Sequence, residues 1–175
     1  PVGDGCIIGG IWKGFCDLHE LGLIDALPRM IGVQADGANP LVLAFESGQP
    51  IQPQEQIHTL ANGIAVGQPR DGLKALRAVR DSQGIMMSVS DNQILDAMRA
   101  LARYAGVFAE PAGAAPFAAL VKLTQQGLLE PDERVVLMVT GNGLKDIDAA
   151  SRAAGEPTRI DPDFEAVKRA VESME

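Results

Sequence analysis

A glycine-rich stretch at the start of the chain has the composition of a phosphate-binding turn. It reads Pro1-Val-Gly-Asp-Gly-Cys-Ile-Ile-Gly-Gly10 and leads into an amphipathic segment with Ile11, Trp12 and Phe15. Glycines permit positive φ angles and let the backbone approach a ligand closely. Peptide N–H groups that converge at the start of the following helix would favour a phosphate. Such a junction can also need its glycines only for a tight connection, so both interpretations stay open at this point.

Two further polar groups follow predicted strands. Glu110 ends a short apolar run at 107–110, and Thr140 ends the most apolar segment of the chain, 134–140. Ligands of a parallel sheet sit at the carboxyl ends of its strands, so we expect both residues to share one edge of the sheet with the glycine turn. Two alternatives stay open. The Thr140 hydroxyl can bond its own backbone, and Glu110 can either line a pocket or only charge the start of a helix.

The elements that must position these groups alternate regularly along the chain. Short apolar runs bounded by turn residues predict strands at the opening stretch and at 30–35, 84–90, 107–110 and 134–140. Helical spacing of apolar residues predicts helices at 11–22, 40–47, 71–79, 92–104, 111–127, 144–154 and 163–174. The predicted helix caps are Asn39, Asp71 and Asp91. Residues 48–69, rich in Gly, Pro and Gln, predict an irregular segment with apolar anchors. The pattern is typical of the α/β class, a three-layer αβα domain with a mainly parallel sheet spanning residues 1–175.

Composition narrows the classes of partner. With 46% hydrophobic residues, the 175-residue chain can bury a core as one domain. A formal net charge of -8 argues against nucleic acid, and no apolar run is long enough to cross a bilayer. Cys6 and Cys16 form no disulfide framework, and no His, Cys or carboxylate pair has metal-ligand spacing. We therefore expect reduced thiols in a cytoplasmic protein that has no metal site and no nucleic-acid or membrane partner.

Three motifs occur in the order and at the spacing of a known family. They are the opening stretch, Glu110-Pro-Ala-Gly-Ala-Ala115 and Val139-Thr-Gly-Asn-Gly-Leu-Lys-Asp146. Together they resemble the C-terminal half of the fold-type II pyridoxal-phosphate enzymes, which implies part of the large domain of such an enzyme. The last motif and the segment Thr59-Leu-Ala-Asn-Gly-Ile-Ala-Val-Gly67 look specifically like the threonine synthase family.

The resemblance implies a set of cofactor-binding residues. The turn would hold the phosphate of pyridoxal phosphate through backbone N–H groups, and a hydroxyl would face the pyridine nitrogen without forcing its protonation. The implied residues are Gly3, Asp4, Gly5, Cys6, Ile7 and Thr140. Asp4 departs from the commoner Asn or Gly, and a carboxylate beside a phosphate is unfavourable unless it turns away or caps the helix. Cys6 is predicted to be a small filler.

The resemblance also shows what this sequence lacks. The family attaches its cofactor through a lysine in a Ser-x-Lys segment, and no lysine here has that context. We expect Lys145 to be a solvated charge near Asp146 and Asp148. The other lysines are expected on helix surfaces: Lys13, Lys74, Lys122 and Lys168. The implication is that the N-terminal half with the attachment lysine is absent, that the cofactor is not covalently held by this chain, and that the chain has no catalytic residue and is inactive alone.

Three functions remain to be distinguished. The resemblance implies a lyase that converts O-phospho-homoserine and water to threonine and phosphate, acts on a small amino-acid substrate and forms a homo-oligomer. Threonine or serine dehydratases share the glycine turn and the motif at Glu110 but usually differ after the last strand. A non-catalytic module that binds a phosphate-bearing ligand or mediates assembly is the third possibility.

Overall fold

Residues 1–157 and 159–173 are described by the computed structural model, and within them the chain forms seven α-helices and two β-strands. The helices are α1 (Cys6–Glu20), α2 (Pro40–Ser47), α3 (Gly72–Asp81), α4 (Asp91–Ala105), α5 (Pro111–Gln125), α6 (Ile147–Ala154) and α7 (Phe164–Glu172). The strands are β1 (Ile31–Ala35) and β2 (Ile85–Val89), and two short 3₁₀ helices span Asn62–Ile64 and Gly143–Lys145. Every predicted helix is present, although the last predicted residue, 174, lies outside the described residues.

The sheet is smaller than the sequence predicts. β1 and β2 pair in parallel, with Ile31 opposite Ile85 and Ala35 opposite Val89, which confirms two of the five predicted strands. The opening stretch makes one backbone–backbone hydrogen bond to β1, from the Val2 amide to the Val33 carbonyl at 2.7 Å. Segments 107–110 and 134–140 are not strands. Segment 107–110 makes only an isolated bridge, between Ala109 and Asn142, and segment 134–140 has no backbone hydrogen-bond partner among the described residues, which a strand needs.

Helices cover both faces of the sheet and give three layers. One apolar cluster joins β1 and β2 to α4, α5 and α6 through residues such as Val33, Val89 and Ile94. A second cluster joins the opposite face to α1, α2 and α3 through Met86 and Leu76. The αβα architecture predicted from the alternation of elements is therefore confirmed.

Gln34 is a fully buried polar side chain that connects three elements on the face of α2. Its Oε1 accepts from the amides of Leu41 at 2.9 Å and Val42 at 3.1 Å, and its Nε2 donates to the Val2 carbonyl at 3.3 Å. The prediction that the Asn39 side chain caps α2 is wrong, because Gln34 already satisfies the first amides of that helix. Asn39 instead exchanges two hydrogen bonds with Gln54.

The start of α4 is capped by a residue that the sequence analysis did not select. Ser90 accepts from the Gln93 amide, and the Gln93 side chain accepts from the Ser90 amide, which forms a capping box. Asp91, the predicted cap, instead accepts from the Thr59 hydroxyl at 2.6 Å and the Leu60 amide at 3.0 Å. Asp91 thereby anchors the irregular segment 48–69. As predicted, this segment forms no α-helix or strand, although it contains the 3₁₀ turn Asn62–Ile64.

The remaining differences concern exposure. The spacing of Leu73, Leu76 and Val79 predicts one apolar side of α3, but the Leu73 side chain is 77% exposed, and the helix buries Ala75, Leu76 and Val79. The spacing of Phe164, Val167 and Val171 predicts an apolar stripe on α7, and all three side chains are exposed. Among the described helices, none has both the length and the apolar content to cross a bilayer.

Candidate functional site

A cavity of about 360 Å³ lies where the glycine turn, the irregular segment, the start of α5 and the turn after residue 140 meet. Its wall includes all six residues predicted from the sequence: Gly3, Asp4, Gly5, Cys6, Ile7 and Thr140. The structure therefore brings the first turn of the chain and the end of the apolar segment 134–140 to one place, as their predicted positions at one sheet edge require.

The glycine turn ends in an uncapped helix. Gly5 is the N-cap residue of α1 in a left-handed conformation (φ 95°), and no side chain caps the helix. The first intrahelical bond runs from the Gly9 amide to the Gly5 carbonyl, so the amides that precede Gly9 lie outside the helical bonding pattern among the described residues. The 15-residue helix also places a partial positive charge at this end, which favours an anion.

Close packing explains why two positions of the turn are glycine. A Cβ on Gly5 would lie 2.7 Å from the Asp71 carbonyl oxygen and 2.9 Å from the Ala75 Cβ. A Cβ on Gly3 would lie 3.1 Å from the Val66 side chain. Since the left-handed φ of Gly5 is also unfavourable for any side chain, the sequence can keep this turn only with glycine there.

The Asp4 carboxylate is bonded to the segment that precedes α3. Its Oδ1 accepts from the Arg70 amide at 3.1 Å, and its backbone carbonyl accepts from the Asp71 amide at 2.9 Å. The Arg70 amide thus gives a hydrogen-bond partner to a carboxylate that would be unfavourable beside a phosphate.

Cys6 is not the small filler that was predicted. Its side chain is exposed, and its Sγ donates to Asp71 Oδ2 at 2.8 Å. This hydrogen bond, together with the negative charges of Asp71 and Asp4, raises the pKa of the Cys6 thiol above its usual value. The cavity wall therefore carries a neutral thiol at neutral pH.

The opposite wall is formed by two short segments joined through their backbones. The Glu110 amide donates to the Gly141 carbonyl at 3.0 Å, and the Gly143 amide donates to the Phe108 carbonyl at 2.9 Å. The Glu110 carboxylate lies directly over Gly141, where a Cβ would overlap it. These contacts place Thr140 next to the start of α5 even though residues 134–140 form no strand.

Glu110 lines the cavity and does not cap α5 with its side chain. Its carboxylate pairs with Lys145 Nζ at 2.8 Å, and the two side chains are 11% and 63% exposed, respectively. Lys145 is thus well exposed, as predicted, but its ion-pair partner is Glu110 and not Asp146 or Asp148. Asp146 instead caps α6 through the Ala149 amide, and no local pattern reveals that the partner of Lys145 lies 35 positions upstream, as their numbers give.

Other residues of the cavity also escaped the sequence analysis. The irregular segment contributes Gly63, Ile64 and Val66, and α5 contributes Ala112. The close approach of the two pieces is visible at Gly63, where a Cβ would lie 3.0 Å from the Ala112 Cβ. Small residues at both positions were the available signal, but they gain meaning only when the two pieces are known to touch.

The remaining titratable side chains lie elsewhere. His19 and His58 are exposed and outside the cavity. Lys122, predicted on a helix surface, is half-buried, and its Nζ donates to the Ser88 carbonyl at 2.8 Å. Within the part of the chain that the structure describes, no group of three His, Cys, Asp or Glu residues is arranged to hold a metal ion.

A second, larger depression of about 570 Å³ is mostly apolar and lies beside the sheet. Its walls come from α1, β1, α5 and residues 133–138. We call it the apolar groove. Arg29 and Glu133, which pair at 2.8 Å, both line it. It carries little of the polar chemistry found in the first cavity, so the smaller cavity is the candidate site.

The fold and the arrangement of the glycine turn define the class of protein. A family model described as "Pyridoxal-phosphate dependent enzyme" matches residues 1–141, and the chain belongs to that family. Its relatives include a threonine synthase from Methanocaldococcus jannaschii, which is 44% identical over 99% of this chain. The match covers 43% of that relative, so the chain spans less than half the length of the curated proteins it resembles.

Solved structures support the same fold. A threonine deaminase from T.th. is 26% identical and superposes with a TM-score of 0.56, covering 75% of this chain and 44% of that structure. Threonine synthase from Escherichia coli is 20% identical with a TM-score of 0.58, covering 85% of this chain and 38% of that structure. Because both enzymes superpose about equally well, the fold alone does not separate their two activities.

Proposed function

We propose that this chain is the C-terminal, cofactor-binding portion of a pyridoxal-phosphate-dependent lyase of the threonine synthase type. The observation that carries the proposal is the shared cavity of the glycine turn and Thr140. Identities of 43–44% to two relatives named threonine synthase support this substrate class over others in the family. The proposed reaction converts O-phospho-homoserine and water to threonine and phosphate.

The cavity fits a phosphorylated pyridine. The uncapped start of α1 suits the phosphate, and residues 3–7 would hold it through their backbone. The Thr140 hydroxyl would contact the pyridine nitrogen and, unlike a carboxylate, would not force that nitrogen to be protonated. Glu110, neutralised by Lys145, would supply a wall without a net negative charge. When bound, the cofactor supplies an electron sink for elimination and replacement at the amino acid.

The remainder of the enzyme would cover the apolar groove. Ile31 and Val33 of β1 face this groove, as do Val135, Val136 and Met138 on the other side. The Val136 side chain is 83% exposed, which is unusual within such an apolar run. We propose that an extended apolar segment of the N-terminal part fills the groove and that this part carries the attachment lysine. The cofactor is then not covalently held by residues 1–175, and the chain alone is inactive.

Partners and location follow from the same proposal. The substrate is a small amino acid, and the enzyme is a homo-oligomer, in agreement with the exposed apolar side chains on α7. Cys6 and Cys16 are both free thiols, as expected for a cytoplasmic enzyme. The formal net charge of -8 supports the prediction of no nucleic-acid or membrane partner.

A dehydratase is the second candidate, favoured by the superposition on a threonine deaminase. The sequence after Thr140, Gly141-Asn-Gly-Leu-Lys-Asp146, argues against it, because the resemblance of that ending is to threonine synthase. A non-catalytic phosphate-binding or assembly module is the third candidate. It would need neither Thr140 nor the N-terminal part.

The decisive experiment compares products made by the complete polypeptide. We expect phosphate release from O-phospho-homoserine, little 2-oxoacid from threonine or serine, and no turnover by residues 1–175 alone. Thr140→Val should lower turnover about tenfold or more, a loss of roughly 1.4 kcal/mol in transition-state stabilisation. Thr124→Val is the matched control, because that hydroxyl bonds the Leu120 carbonyl on the exposed face of α5. Predominant 2-oxoacid formation would establish the dehydratase, and turnover by residues 1–175 would refute the proposed partition.

A further inference from the structure

The glycine turn is fastened to the residues that precede α3. The Arg70 and Asp71 amides donate to the side chain and the backbone carbonyl of Asp4, at 3.1 and 2.9 Å. The Cys6 thiol donates to Asp71 Oδ2 at 2.8 Å. Three hydrogen bonds therefore join residues 4–6 of the turn to Arg70 and Asp71. These partners are distant in the sequence, since Cys6 and Asp71 are 65 positions apart.

Asp71 uses its carboxylate in an unusual way for its position. It is the N-cap residue of α3, where an aspartate ordinarily accepts from an amide of its own helix. No such bond is made, and the carboxylate instead accepts from Cys6 and pairs with Lys74 Nζ at 2.7 Å. Both carboxylate oxygens are thus directed to the turn and to a cation that neutralises them.

The backbone of Asp71 also limits the shape of the turn. A Cβ on Gly5 would lie 2.7 Å from the Asp71 carbonyl oxygen, so the left-handed Gly5 packs directly on this residue. Asp4 and Cys6, the residues before and after Gly5, also contact Asp71. Asp71 therefore touches the turn through its amide, its carbonyl and its side chain.

The thiol and the carboxylate shift each other's titration. The hydrogen bond to Cys6, followed by that to Lys74, lowers the pKa of Asp71, and the same bond to Asp71 raises the pKa of the Cys6 thiol. Because the pKa of the Cys6 thiol is raised, the thiol is protonated and donates to Asp71 at every pH below the usual cysteine pKa. The hydrogen bond is lost as the pH rises through the raised pKa. The thiol at the cavity wall therefore remains a neutral donor where a thiolate would repel a phosphate.

We propose that Asp71 is a positioning residue for the phosphate-binding turn: it holds the first turn of α1 through its contacts with Asp4, Gly5 and Cys6. This inference rests on the proposed function for its ligand, a phosphorylated cofactor. The hydrogen-bonded clamp itself does not depend on that function, and the two can be tested separately.

The first measurement is the alkylation of Cys6 by iodoacetamide between pH 7 and pH 10, followed by peptide mass spectrometry so that Cys16 is scored independently. Asp71→Asn should move the midpoint of the Cys6 profile down by about one pH unit and raise its rate at pH 8 by up to about tenfold. Asp96→Asn, an exposed aspartate on α4, is the matched control and should leave the profile unchanged. An unchanged profile in Asp71→Asn would overturn the proposal.

The second measurement is the binding of pyridoxal phosphate to the complete polypeptide by equilibrium dialysis. Asp71→Ala, which removes the acceptor of the Cys6 thiol, should weaken binding about threefold to tenfold. Cys6→Ser, which retains a donor, should stay close to the wild type, whereas Cys6→Ala should resemble Asp71→Ala. Equal affinity in the wild type and Asp71→Ala would overturn the positioning role even if alkylation changes in Asp71→Asn. If the wild type itself binds no pyridoxal phosphate, the proposed function fails, and a shifted alkylation profile then supports Asp71 as a clamp on the turn alone.

Discussion

The glycine turn at residues 3–7 and Thr140, the last residue of segment 134–140, line the same cavity, yet the protein holds the turn and the segment in different ways. The turn is fixed by the hydrogen bonds that Asp4 accepts from the Arg70 and Asp71 amides, by the bond that the Cys6 thiol donates to Asp71, and by the packing of Gly5. Among the hydrogen bonds of the described residues, none involves 134–140, and Val136 in its centre is 83% exposed.

The turn and the segment differ in where the residues that stabilise them lie. The shape of the turn depends on a left-handed glycine and on partners contained within the chain, so it is complete as it stands. A buried strand depends on neighbours on both sides of its backbone, and an apolar sequence cannot supply them by itself. The site is therefore anchored at the glycine turn and incompletely supported at its Thr140 end.

The largest expected effect comes from adding one methyl group to the anchored side. Gly5→Ala would place a Cβ against the Asp71 backbone at a positive φ, and we expect a loss of about 2–5 kcal/mol in the free energy of unfolding. The same substitution at Gly10, where nothing lies within 4 Å of the added Cβ, should stabilise α1 by up to about 1 kcal/mol. Denaturant unfolding measures both. Similar values for the two variants would show that the turn is not held as described.

A smaller effect is expected from the ion pair at the other side of the cavity. Lys145→Met would leave the nearly buried Glu110 carboxylate without its cation, at a cost of about 1–3 kcal/mol. Lys13→Met removes a partner that lies even closer to Asp17, at 2.5 Å, but both side chains are well exposed there, so the cost should stay below about 0.5 kcal/mol. Thermal unfolding of the two variants gives the comparison. An equal, small loss in both would mean that the Glu110–Lys145 pair is effectively solvated.

The smallest effect is expected in segment 134–140 itself. Val136→Thr should change the free energy of unfolding of the chain by less than about 0.5 kcal/mol, because the side chain is already exposed. Val33→Thr, at a position only 2% exposed, should cost about 1–2 kcal/mol. In the complete polypeptide the cost of Val136→Thr should rise toward that of Val33→Thr as the groove is filled. A cost that stays negligible there would contradict the proposed covering of the apolar groove.

The sequence was most informative where structure depends on nearby residues. The helix at Pro40–Ser47 and the start of α5 at Pro111 were predicted to the residue, since proline and the apolar spacing act locally. The start of α1 was placed too late, at residue 11, because Gly9 and Gly10 were assigned to the turn although a helix tolerates them. The proximity of the glycine turn and Thr140 was predicted from a general rule about sheet edges, although segments 107–110 and 134–140, to which the rule was applied, are not strands.

Interactions between distant residues were beyond the reach of the pattern. Asn39 and Asp91 have the residue types of helix caps, but Gln34 and Ser90 compete successfully for those helix amides. The pairing of Lys145 with Glu110 depends on the meeting of two segments that the sequence separates. Whether the six predicted residues bind the cofactor stays a prediction, and the structure contributes their proximity.

The buried amide of Gln34 has a consequence for how this half of the molecule can move. One side chain holds the backbone entering the glycine turn and the first amides of α2 at the same time. An aliphatic replacement of similar size would orphan all three groups together. The residues that enter the turn, β1 and α2 are therefore held together by a single side chain, and we expect them to shift together.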